Sequence, residues 1–276
     1  MKRLILVLGL ALVIAACGDE AAPNIHLQIA SGPVGVGQQR VLIAMVNLDT
    51  QQLAASPDVP ATATLRDRIG SPLADYVGEF VWIVPNVRGL YAFNMDVPGP
   101  GEFQVTVDAG PLGNSLGPIR LTAVSDLSVV QIGEDAPRSI TRTIPEYDLS
   151  DITSDPEPDP SFYEMTVAAA VESGRPSVIV FGTPAWCTSQ ACGPMLEQIK
   201  ALAPAYPGLN FVHVEIFENI HVGTYEELVP VPSVEEWGLI IEPVIFVTDS
   251  NGVVSALFAG AASDNELRTA FDAVTG

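Results

Sequence analysis

Three cysteines occur in the 276-residue chain. Two of them, Cys187 and Cys192, are separated only by Thr188, Ser189, Gln190 and Ala191. Thiols this close can do two kinds of chemistry. A thiolate can attack a disulfide, forming a mixed disulfide that a neighbouring thiol resolves. Two thiolates joined by an imidazole make a soft site suited to Cu(I) or Zn. The imidazoles on offer are His213 and His221. The bland alternative is an inert bridge that holds a loop. A loop of about six residues restrains the unfolded chain little, so such a bridge would contribute only about 2 kcal/mol. Exchange is therefore the favoured chemistry, ahead of a structural bridge and a metal site.

The flanking segments must position the pair. Ser177–Phe181 is a near-continuous apolar run, as in a buried central strand. Met195, Leu196, Ile199, Leu202 and Ala203 recur at helical spacing, ended by Pro204 and Pro207. The pair thus lies between a buried strand and a helix, whose N-terminus would lower a thiol pKa. Ser161 with Glu164 forms a capping-box pattern and predicts a helix over 162–173. Leu209–Glu215 predicts a second buried strand, and Ser233–Trp237 a short helical turn. Val244–Thr248 and Val253–Phe258 flank Asn251-Gly252, a hairpin signal. Ser263 with Glu266 opens a last helix. The predicted order is α-β-α-β-α-β-β-α, a mixed sheet with helices on both faces.

The run Val178-Ile179-Val180-Phe181-Gly182-Thr183-Pro184-Ala185-Trp186-Cys187 resembles the strand, turn and Trp-Cys of thioredoxins, and Pro243 matches that family's cis-proline. The resemblance implies an α/β thioredoxin fold over residues 161–276. It implies that Cys187 attacks, Cys192 resolves, Trp186 lines the surface around the sulfur, and the backbone at Glu242-Pro243 pairs with an extended substrate. Four residues stand between the cysteines where the family has two. A rival alignment starts at Cys192-Gly193-Pro194-Met195, leaving open which cysteine is the nucleophile. The family's buried acid, six residues before the first Cys, is Phe181 here. No carboxylate is thus placed beside the resolving thiol, and slow or unidirectional turnover is expected. The pair also resembles Sco-type copper chaperones, which would enlist Cys187, Cys192, His213 and His221 to hold copper.

Upstream, Tyr91–Val97 and Phe103–Val107 alternate with period two, and Ile25–Ala30, Arg40–Val46, Ala61–Leu65, Glu79–Val84 and Ile119–Val124 are further short strand candidates. About seven such strands suggest a β-sandwich. Arg88-Gly89-Leu90-Tyr91 followed by Gly101-Glu102-Phe103 resembles strands of immunoglobulin-like envelope domains. The expected fold class is two-domain: an all-β immunoglobulin-like sandwich, then the α/β thioredoxin fold. Residues 125–160 read as an acidic connector, stiffened at Asp155-Pro156-Glu157-Pro158-Asp159-Pro160. Within it, Ile132-Gly133-Glu134-Asp135-Ala136-Pro137 resembles the entry segment of extracytoplasmic thioredoxin-like proteins, so the connector could fold back on the C-terminal domain.

The N-terminus carries Lys2-Arg3 and an apolar run too short to span a bilayer. It ends Val13-Ile14-Ala15-Ala16-Cys17. This resembles a bacterial lipoprotein signal and implies cleavage after residue 16 and acylation of Cys17. Residues 17–24 would be a tether, 25–124 the sandwich, 125–160 the connector and 161–276 the redox domain. The expected location is extracytoplasmic, with a lipid anchor in the cell membrane or envelope. The expected partners are extracytoplasmic protein thiols and disulfides and a redox partner; no cofactor is required unless copper binds. With 12 Lys+Arg against 33 Asp+Glu and a net charge of −21, nucleic acid is excluded as a partner.

Overall fold

The computed structural model describes residues 23–276. The expected signal peptide and Cys17 lie outside the described residues. The first half contains nine strands: β1 (Ile25–Ile29), β2 (Gly37–Asn47), β3 (Gln52–Leu53), β4 (Thr62–Arg66), β5 (Pro72–Val77), β6 (Glu79–Val84), β7 (Arg88–Val97), β8 (Gly101–Asp108) and β9 (Leu116–Ala123). They form two sheets of order β1-β2-β7-β6, with β3 added to β2, and β5-β4-β8-β9. Alternate residues of each sheet meet in one core, with Ile43, Met45, Phe93, Leu65, Val105 and Leu121 fully or almost fully buried.

After this sandwich come α1 (Leu149–Ile152), α2 (Val167–Glu172), β10 (Ser177–Gly182), α3 (Cys192–Leu202), β11 (Asn210–Glu215), α4 (Pro232–Glu236), β12 (Val244–Thr248), β13 (Val254–Ala259) and α5 (Asp264–Thr275). Their sheet has the order β11-β10-β12-β13. β10 pairs parallel with β11 and antiparallel with β12. Ile179, Phe181 and Phe246 face Trp237, Val167 and Val171. Val178, Val180, Ile245 and Val247 face Met195 and Ile199 of α3 and Leu267 and Phe271 of α5.

The expected fold class is corrected at this level. The chain is mostly β, in three sheets, with only about 20% helix, and no clear thioredoxin α/β fold is shown. The helix expected over 162–173 is a single 3-10 turn at Pro160–Tyr163 followed by the six-residue α2. Thr166 caps α2; the Ser161/Glu164 pattern caps nothing. The two halves share a core. Leu42, Val81, Leu90 and Ala92, on the outer face of the first sheet, belong to the same buried cluster as Val180, Met195 and Phe271. The outer face of the first sheet thus packs into the cluster that α3 and α5 build on the C-terminal sheet.

Polar contacts also join the halves, and the 125–160 segment packs on the second. Arg40 of β2 bonds Glu266 of α5 through both Nε and Nη2, at 2.5 and 2.9 Å. Ser263 Oγ–H donates to Glu79 of β6 at 2.7 Å. The 125–160 segment lies against the C-terminal half: Val254 N–H donates to Glu134 O, and Ala136 N–H to Gly252 O. Asp155, in its Pro-rich stretch, is buried and holds Lys200 Nζ at 2.8 Å. Lys200 also reaches Glu197 at 2.5 Å and Glu157 O at 2.7 Å, leaving its side chain only 11% exposed.

Candidate redox site

β10 is buried along its whole length and ends at Gly182. The chain then loops out through Thr183–Ala191 and enters α3 at Cys192, that helix's first residue. Cys187 and Cys192 are joined by a disulfide, with their Cα atoms 6.0 Å apart. The two sulfurs have different surroundings. Cys187 Sγ accepts from Cys192 N–H at 3.3 Å and has Ser189 Oγ at 3.2 Å. Both donors, together with the α3 N-terminus, favour negative charge on Cys187. Cys192 Sγ instead lies 3.3 Å from Glu242 Oε2. A carboxylate opposes a second negative charge there and stands ready to exchange a proton. Cys187 is 8% exposed and Cys192 2%.

Glu242 is half-buried and accepts from Thr183 N–H at 3.0 Å. Burial pushes its carboxyl up to about 7, against that N–H and helped by the charge of Glu215. Burial also raises Glu215, whose Oε2 accepts from Ser154 N–H at 2.8 Å while its Oε1 has no partner among the described residues. The peptide between Glu242 and Pro243 is cis. Space beside the sulfur is tight: a Cβ on Gly182 would lie 3.3 Å from Cys192 Cβ and 3.4 Å from its Sγ.

The remaining candidates fall in different places. Trp186 is half-buried, and its indole N–H donates to Ile220 O at 3.1 Å. His213 is buried in β11 with both ring nitrogens engaged. Nε2–H donates to Gly182 O at 3.2 Å, leaving Nδ1 to accept from Tyr163 O–H at 2.8 Å. Burial depresses its pKa to about 4. His221 is exposed and lies 3.3 Å from Asp151. The donor group around the sulfurs is Cys187, Cys192 and Glu242, mutually within 4.8 Å, and contains neither imidazole.

Two residues beside the pair were not foreseen. Arg88, at the start of β7, donates to Gln190 Oε1 at 2.7 Å and reaches Ser189 O at 3.4 Å, so the sandwich grips the loop between the cysteines. The carboxylate function of Glu242 is the other. Its sequence signal was a lone acid within Ile240-Ile241-Glu242-Pro243-Val244.

No family model matches the chain. No curated protein matches it either. Among solved structures, the filamin domain of Lin-41 is similar at 12% identity and a TM-score of 0.24, over 36% of this chain and 93% of that one. Among the described residues no helix is long and apolar enough to cross a membrane.

Proposed function

We propose that the protein is a thiol–disulfide oxidoreductase that acts on protein thiols and disulfides outside the cytoplasm, held at the membrane through an acylated Cys17. The observation that carries this reading is the asymmetry of the Cys187–Cys192 disulfide, with hydrogen-bond donors at one sulfur and a carboxylate at the other. A substrate thiolate attacks Cys187 Sγ, and the bond to Cys192 breaks. Cys192 leaves as a thiolate and takes a proton across the 3.3 Å gap from Glu242. The substrate's second thiolate then attacks its own sulfur in the mixed disulfide and releases Cys187. Two electrons pass to the pair, Cys192 keeps the proton from Glu242, Cys187 leaves as a thiolate, the two substrate thiol protons go to solvent, and the substrate gains a disulfide. In reverse, the Glu242 carboxylate accepts the proton of Cys192 as that sulfur resolves the mixed disulfide. This supplies the group that the Phe181 position lacks.

The test is exchange with a reduced or oxidised model polypeptide by wild type, Cys187→Ser and Cys192→Ser. Loss of turnover in Cys187→Ser and accumulation of mixed disulfide in Cys192→Ser is the expected pattern. Equal turnover in wild type and Cys187→Ser would remove the proposal.

A further inference from the structure

We infer that the reduced pair is also a zinc site, with Cys187 Sγ, Cys192 Sγ and Glu242 Oε2 as ligands and opening of the disulfide as its switch. The inference rests on the exchange reading only in requiring a pair that can be opened. Zinc is held tetrahedrally at about 2.3 Å from sulfur and about 2.0–2.2 Å from oxygen, so its ligands stand about 3.6–3.8 Å from one another. Glu242 Oε2 is already 3.3 Å from Cys192 Sγ, and all three donor atoms lie within 4.8 Å of one another. Once the covalent bond is cut, the sulfurs move apart toward contact distance, the second edge of that tetrahedron, and Glu242 Oε2 lies within 4.8 Å of Cys187 Sγ along the third. The fourth position is left for water.

Charge points the same way. Two thiolates and a carboxylate converge at one place, and Arg88, at the loop between the cysteines, is committed to Gln190 and Ser189 O. A divalent cation neutralises what the protein does not. The oxygen donor favours zinc over Cu(I), which prefers sulfur and nitrogen. His213 and His221 cannot complete a copper site as they stand, since His213 has both nitrogens bonded and His221 faces Asp151.

The chemistry balances without another oxidant. Two equivalents of an external thiol deliver two electrons and two protons to the disulfide and become a disulfide themselves. Zinc then displaces both thiol protons to solvent, with no electron transfer. The oxidised chain offers no thiolate and binds none.

The experiment uses the full chain carrying Cys17→Ser, so that only the pair titrates as thiol. Protein reduced with a thiol and desalted without oxygen is titrated with zinc against a chromophoric chelator, and with cobalt(II) to read sulfur-to-metal charge-transfer absorption. One zinc per reduced chain and none per oxidised chain is expected. Glu242→Gln should lower affinity roughly tenfold or more, while a thiol count of two and an unchanged circular dichroism spectrum show it reduced and folded. No uptake by reduced wild type, equal uptake by oxidised protein, or unchanged affinity in Glu242→Gln would each overturn the inference. Exchange is assayed separately with a chelator present. Exchange without zinc binding removes only this inference, and zinc binding without exchange removes only the oxidoreductase reading.

Discussion

At the scale of single residues, two sulfurs of one bond are made unequal by their neighbours. On the proposed exchange reading, the donors at Cys187 and the carboxylate at Cys192 suit attack at the first and resolution by the second. Glu242→Gln should therefore slow exchange by roughly 10²-fold, the usual scale for a positioned acid–base group, with the fold intact; stopped-flow thiol release measures it. A second prediction concerns His213, held neutral by burial with its pKa lowered from 6.5 to about 4. Below pH 6.5 the unfolded chain binds a proton that the folded chain refuses. Stability is therefore fully retained above about 6.5 and falls as pH drops toward 4, by roughly 3 kcal/mol in all. Urea midpoints across that range should show the loss in wild type and a flatter profile in His213→Asn. The cysteines and their flanking strand were legible because their spacing is local. The role of Glu242 was not, because the carboxylate arrives from fifty residues downstream of Cys192.

At the scale of elements, patterns with one buried face or complete burial were easy to read. β6 and β12 run over the spans read for them, Glu79–Val84 and Val244–Thr248, and α5 opens with the expected Ser263/Glu266 capping box. β5 was missed: Pro72–Val77 is a largely exposed edge strand with no clear apolar face to announce it. The helix expected from Ser161 failed because Asp159 caps a 3-10 turn there, and Thr166 starts the true helix. The end of β10 carries its own prediction. A methyl group at Gly182 must displace Cys192, whose Cβ would lie 3.3 Å away. Gly182→Ala should cost about 1–3 kcal/mol, as overpacking does, and alter the rate at which thiols open the disulfide. Chemical denaturation and a reduction time course would read the two effects.

At the scale of the whole molecule, the interface between the halves carries the stability argument. The run Val41-Leu42-Ile43-Ala44-Met45 is apolar at every position, the sign of a strand buried on both faces. Read as one face of a free-standing sandwich, it hid the partner that covers Leu42. Leu42→Ala should cost about 2–5 kcal/mol and weaken both halves together, so fluorescence and circular dichroism should report one shared transition at lower denaturant. Glu266→Ala, tested by itself in the same denaturation, should cost about 3–5 kcal/mol, since Arg40 loses the carboxylate that pairs it. The setting of Lys200 has a practical reach beyond stability. It is the only lysine after Lys2, and three oxygens hold its ammonium inside. The folded body is thus almost invisible to acylating reagents and lysine cross-linkers. Whatever label it does take up at that single amine counts the moments when Asp155 lets go.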